Sequence, residues 1–111
     1  MAGYTIEHNE KRCRAILDGD LTAVLVPDLQ TALKSHLEQG IDEMVFDLGK
    51  TAMLDSSGIG LLIAACNSLA RQKGHMQVLN VSEDIFRVLQ SMRLVNRLHV
   101  SKQERQEENH G

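Results

Sequence analysis

The chain has no tryptophan, one tyrosine, two phenylalanines, one proline and two cysteines. With aromatic residues at 3%, its core must be assembled from Leu, Val, Ile, Ala and Met. It has no run of Lys and Arg, and its formal net charge is -3. Nucleic-acid binding needs clustered cations to displace counterions from phosphate, so nucleic acid is excluded as the main partner. No apolar stretch approaches the ~20 residues of a membrane span. Met1-Ala2-Gly3-Tyr4 carries neither the basic nor the apolar region of a signal peptide. A cytoplasmic protein without direct membrane insertion is expected.

Cys13 and Cys66 have no metal-ligand spacing, and in a reducing compartment both are expected to fill space as thiols. The histidines at 8, 36, 75, 99 and 110 show no paired ligand spacing either. Neither a metal nor a cofactor is expected. Met44, Met53, Met76 and Met92 read as core filler.

A chain of 111 residues with 42% hydrophobic content fits one domain with a substantial core. Tyr4 to His8 and Lys11 to Leu17 alternate, which predicts a hairpin turning at Asn9-Glu10. Asp18-Gly19-Asp20-Leu21 is a break. From Val24 to Gln39, apolar residues at Val26, Leu29, Ala32, Leu33 and Leu37 follow a helical period, with Pro27 in the first turn and Gly40 as a stop. Met44-Val45-Phe46 is short enough for a buried strand. Ile59, Leu62, Ile63, Cys66, Leu69 and Ala70 form the face of a second helix ending before Gly74. Met76 to Leu79 is a strand, and Ser82-Glu83-Asp84 opens a third helix bearing Ile85, Phe86, Val88, Leu89 and Met92. Leu94 to Val100 fits either a last strand or a helical finish. From Ser101 to Gly111 no apolar residue occurs, which predicts a polar, disordered tail after a domain spanning 1–100. The order implies an α/β domain: a mixed, mostly parallel sheet with helices and an N-terminal hairpin.

Functional groups in such folds gather in loops at one end of the strands. Leu54-Asp55-Ser56-Ser57-Gly58-Ile59-Gly60, between a strand and a helix, is such a loop. A hydroxyl at a helix N-terminus tolerates added phosphate, because free N–H groups and the positive end of the dipole face it. Ser56 and Ser57 share that physics. Competing motifs fail on spacing. Ile63 stands where a dinucleotide fingerprint wants Gly or Ala, no Gly-Lys-Ser/Thr follows for a P-loop, and a nucleophile elbow lacks its Gly. A phosphorelay receiver built on Asp55 would need an acidic pair after the first strand, which Glu7 and Asp18 do not supply.

Asp55-Ser56-Ser57-Gly58-Ile59-Gly60-Leu61, preceded by Gly19-Asp20-Leu21 and Val45-Phe46-Asp47-Leu48, resembles the STAS domain of bacterial anti-sigma factor antagonists over roughly residues 3–100. The resemblance implies a STAS-like fold and a non-enzymatic partner-switching role. The first hydroxyl after the Asp, here Ser56, would be phosphorylated by a serine kinase that is itself the partner, and a PP2C-type phosphatase would reverse it. Asp20, Thr22, Asp55, Ser57, Gly58, Ile59 and Gly60 would form the partner-binding surface of a protein that is a monomer when free. The alternative is a STAS subunit held in a transporter or stress-response assembly, with Ser56 structural. Two positions depart from the family pattern: Thr22 stands where members often carry an acidic residue, and Arg93 where they carry Gly.

Overall fold

The computed structural model describes residues 3–104. The chain runs β1 (Tyr4–Asn9), β2 (Arg12–Leu17), α1 (Val26–Leu37), β3 (Glu43–Asp47), α2 (Ser56–Arg71), β4 (His75–Val81), α3 (Glu83–Ser91), α4 (Val95–Leu98) and β5 (Val100–Lys102). The strands form one sheet in the order β1-β2-β3-β4-β5. β1 and β2 are antiparallel, and every later pair is parallel. The α/β architecture expected from the pattern is therefore the one observed. Among the described residues, no helix is long and apolar enough to cross a membrane.

Strand alternation decides which face is covered. Cys13, Ala15 and Leu17 of β2, Met44 and Phe46 of β3, and Met76 and Val78 of β4 are buried. The intervening Arg12, Arg14, His75 and Gln77 are exposed. Successive side chains on a strand point to opposite faces, so the helices close over one face and leave the other to ion pairs. There Arg12 meets Glu43 at 2.8 Å and Arg14 meets Asp47 at 3.0 Å. The Asp47 carboxylate also accepts from the Gly49 amide at 3.0 Å and from Asn80 Nδ2 at 3.1 Å. Burial pushes its pKa up, but the donors from Asn80, Gly49 and Arg14 together outweigh that and hold it below the usual range.

Several boundaries differ from those expected, each for a local reason. The hairpin turns at Glu10-Lys11, because Asn9 still pairs with Arg12 and Glu10 takes a left-handed φ of 58°. α1 begins two residues later than Val24, because the Thr22 carbonyl accepts the N–H groups of Leu25 and Val26 in a preceding turn. The helix ends at Leu37, two residues before Gln39, and the turn that follows closes with Gly40 at φ 80°. Met53 and Met92, expected in the core, are exposed. Leu94 to Val100 holds both candidate structures in succession: α4, a left-handed His99, then β5. Ser101 and Lys102 lie in β5, and the Gln103 amide donates to the Val81 carbonyl, so strand order continues past residue 100. The segment 105–111 of the expected tail lies outside the described residues.

The helix ends account for the Arg93 departure. α3 closes with Arg93 N–H donating to the Gln90 carbonyl and Leu94 N–H to the Leu89 carbonyl, the Schellman arrangement, with Arg93 at φ 61°. α2 closes the same way through Lys73, also at φ 61°. The turn that favours glycine is thus kept with an arginine in it, at a cost of ~1–2 kcal/mol for a left-handed L-residue.

Arg93→Gly is expected to raise unfolding free energy by about 0.5–1 kcal/mol, the relief of that strain less the extra freedom of glycine in the unfolded chain. Urea unfolding of the two proteins checks it. Asp47→Asn is expected to lose about 1 kcal/mol at pH 7. Because the native carboxyl titrates below its unfolded value, its contribution is full above ~pH 4 and fades as pH falls through the native pKa. Unfolding curves of wild type and variant should converge in acid.

Candidate functional site

The two loops at the carboxyl ends of β2 and β3 run side by side. Leu21 and Leu54 form an isolated parallel bridge, with Leu21 N–H donating to the Met53 carbonyl at 3.0 Å and Asp55 N–H to the Leu21 carbonyl at 3.3 Å. Two carboxylates complete the join in opposite directions. Asp20 Oδ1, on the first loop, accepts from the amides of Ala52 and Met53 on the second, at 3.1 and 3.0 Å. Asp55, on the second loop, accepts from the Ala23 amide on the first at 2.9 Å through Oδ2. Its Oδ1 takes the Gly58 amide at 3.0 Å, so Asp55 is also the N-cap of α2. The hydroxyl of Thr51, a buried polar side chain, donates to the Gly19 carbonyl at 2.8 Å.

The amides of Gly58 and then Ala23 hold the Asp55 carboxyl below the usual carboxylate range. It is therefore a charged structural joint at any pH near neutral. Ser56, the first residue of α2, is exposed, while Ser57 is half-buried. Exposure separates two hydroxyls that the sequence pattern leaves equal.

The STAS domain family profile matches residues 6–107. The chain belongs to the STAS domain family. It is 27% identical over 84 residues to an anti-sigma-B factor antagonist of Staphylococcus epidermidis, covering 76% of this chain and 78% of that protein. The unphosphorylated anti-sigma factor antagonist SpoIIAA superposes with a TM-score of 0.80 at 20% identity, covering 96% of this chain and 91% of that one. The phosphorylated form of the Bacillus cell fate determinant SpoIIAA gives 0.74 at 21% identity, covering 96% and 95%. At such identities the structural likeness establishes the fold.

In this STAS domain the expected binding residues divide into two groups. Asp20, Thr22, Asp55, Ser57 and Gly60 lie on or partly at the surface, as does the expected phosphorylation site Ser56. Gly58 and Ile59 do not: Ile59 is 8% exposed and belongs to the core. A Cβ on Gly58 would lie 2.4 Å from the Leu21 carbonyl oxygen and 2.8 Å from Leu54 Cδ1. Gly58 thus lets α2 press against the first loop, and it is no opening for a partner's backbone. A Cβ on Gly60 would meet nothing within 4 Å.

Pattern reading missed two apolar residues that these loops present to solvent, Val24 at 92% exposure and Met53 at 58%. Val24 follows Ala23, which Asp55 anchors, and Met53 is held through its amide by Asp20. These two exposed apolar side chains, on adjoining loops, are available for contact with another protein. The available signal was Val24 itself, an apolar residue outside the Val26-Leu29-Leu33 stripe.

Gly58→Ala is expected to lose about 1–3 kcal/mol of stability, because the opposing atom is backbone that can yield only by moving the loop. Gly60→Ala, in open space on a helix, is expected to gain about 0.5–1 kcal/mol. Denaturant unfolding of the pair, with opposite signs two residues apart, is the check.

Proposed function

We propose that the chain is a phosphorylation-controlled partner-switching protein. With Ser56 unmodified, the edge formed by Val24, Met53, Ser56 and the exposed part of the Asp20–Thr22 loop binds an anti-sigma-type serine kinase or a related regulator. Phosphorylation of Ser56 releases that partner, and a PP2C-type phosphatase restores the binding form. The chain itself binds rather than catalyses, and works in the cytoplasm as a monomer when free. The observation that carries this reading is the exposed Ser56 hydroxyl at the start of a helix whose neighbouring carboxylates are already committed to backbone amides. The names of its relatives, antagonists of anti-sigma factors, support the class of partner.

The chemistry follows from charge. Phosphate adds about -1.5 to -2 charges at neutral pH, and among the described residues the exposed Ser56 side chain makes no hydrogen bond. The domain keeps its structure, since its joints are Asp20, Asp55 and Gly58. A partner that accepted a neutral hydroxyl there then meets a dense, hydrated anion next to Asp55. Its affinity falls through like-charge repulsion and the cost of stripping water from the phosphate.

Incubation with the kinase and ATP, followed by mass spectrometric mapping, is expected to place phosphate on Ser56 and none on Ser57. Ser56→Asp is expected to bind the partner at least about tenfold more weakly. Ser56→Ala stays in the binding form whatever the kinase activity. An unmodified Ser56, with Ala and Asp variants binding alike, would return Ser56 to a structural role in a permanent assembly.

A further inference from the structure

Three donor side chains that the docking edge does not use meet at the opposite end of the sheet. His8 on β1 lies directly across from Cys13 on β2, and His36 sits in the last turn of α1. One ligand atom from each of His8, Cys13 and His36 lies within 4.8 Å of the others. His8 Nδ1 and His36 Nδ1 are 2.6 Å apart, with their rings tilted at 56°. Cys13 is 2% exposed, and both imidazoles are half-buried.

Two ring nitrogens aimed at each other need a cation or a shared proton between them. The other nitrogen of His8 says which end of that ring is basic. His8 Nε2 lies 2.9 Å from the Glu10 carbonyl oxygen. A carbonyl only accepts, so Nε2 carries the hydrogen and Nδ1 turns a lone pair toward His36 and Cys13. A metal-bound histidine is characteristically held in this way, its remote N–H given to a backbone carbonyl that fixes both tautomer and ring orientation.

We propose that His8 Nδ1, Cys13 Sγ and a ring nitrogen of His36 bind one Zn2+-class transition-metal ion, the fourth position being left to water. Two imidazoles and a thiolate suit such an ion and not Mg2+ or Ca2+, which take oxygen ligands. Metal–nitrogen and metal–sulfur bonds of ordinary length put tetrahedral donor atoms roughly 3.3–3.6 Å apart. The imidazole nitrogens, 2.6 Å apart, would part by about 0.8 Å to reach that spacing, and all three donors already lie within 4.8 Å of one another. On binding, the Cys13 S–H bond breaks, its proton leaves to solvent, and the sulfur lone pair forms the metal bond. The ion joins the β1–β2 hairpin to the carboxyl end of α1.

The test uses the full-length, tag-free, reduced and metal-stripped protein titrated with Co2+. Expected are one Co2+ per chain, a thiolate-to-cobalt charge-transfer band with tetrahedral d–d absorption, and displacement of both by Zn2+. Cys66→Ser and His75→Gln, the latter exposed on the sheet face away from Cys13, keep the spectrum. Cys13→Ser loses the charge-transfer band, and His36→Gln weakens binding at least about tenfold while circular dichroism stays native. Should the buried Cys13→Ser fold poorly, the wild-type band and the half-buried His36→Gln decide. The proposal is overturned by Co2+ binding without a thiolate band, by a band that Cys66→Ser abolishes, by unchanged affinity in His36→Gln, or by no binding at micromolar metal.

Discussion

Everything at the proposed docking edge depends on two carboxylates that each accept from the other loop's backbone. Asp20 reaches forward to the amides of Ala52 and Met53, and Asp55 reaches back to Ala23 while capping Gly58. These charge-assisted bonds, made at exposed positions, tie each loop's backbone to the other loop's carboxylate. The Leu21–Leu54 bridge between them is one residue long and could not hold two loops in register unaided. Acid side chains supply what a longer strand pairing would have supplied, and they leave the neighbouring positions free of regular pairing. Ser56, Val24 and Met53 can therefore be exposed on a support that is itself rigid.

That rigidity decides how a phosphate on Ser56 would be felt. The amino end of a helix offers about half a positive charge, and Asp55 has already taken the Gly58 amide there. A phosphate of about -1.5 to -2 beside that carboxylate leaves the edge strongly negative even after the helix end is counted. At ~4 Å and an effective dielectric near 20, a pair of like charges costs about 4 kcal/mol, which is several hundredfold in affinity for a partner bringing an acidic group to the edge. The same charge has little purchase on the fold, whose core beneath it consists of Leu21, Ile59 and Leu62. In the proposed switch the charged joints and the hydroxyl that takes phosphate are different groups, so modification leaves the joints in place.

The sequence pattern was legible where one period governs a whole element. The alternation of Cys13, Ala15 and Leu17 and the spacing of Val26, Leu29 and Leu33 are sufficient to name β2 and α1. It was legible too in the capping of α3 by Ser82, whose hydroxyl accepts from the Ile85 amide at 3.2 Å. It failed where direction or distance in space matters. Asp55-Ser56-Ser57-Gly58-Ile59-Gly60 reads as one surface loop, but a helix starting at Ser56 rotates Gly58 and Ile59 inward and leaves Ser56 and Gly60 outside. Asp55 meets Ala23 across 32 residues, a pairing that no local window contains. Lys73 and Arg93 carry left-handed backbone that propensity assigns to glycine, because two carbonyl bonds at each helix end over-determine the turn. His8, Cys13 and His36 show no ligand spacing because their proximity comes from strand register and from the length of α1.

The two ends of α1 carry unlike chemistry, and distance keeps them apart. Twelve residues make this helix roughly 18 Å long. The turn before it holds Ala23, bound to Asp55, and its last turn holds His36, against His8. Ionic screening at physiological salt acts over about 8 Å, so a charge change at Ser56 is largely spent before it reaches the imidazoles. Only motion of α1 as a body could couple the two, and Leu29 and Leu33 hold that helix in the core between them. The cluster of His8, Cys13 and His36 therefore bears on how firmly α1 is fastened to the hairpin. In the proposed switch the edge around Ser56 selects the partner, and the length of α1 separates it from the cluster at the other end of the helix.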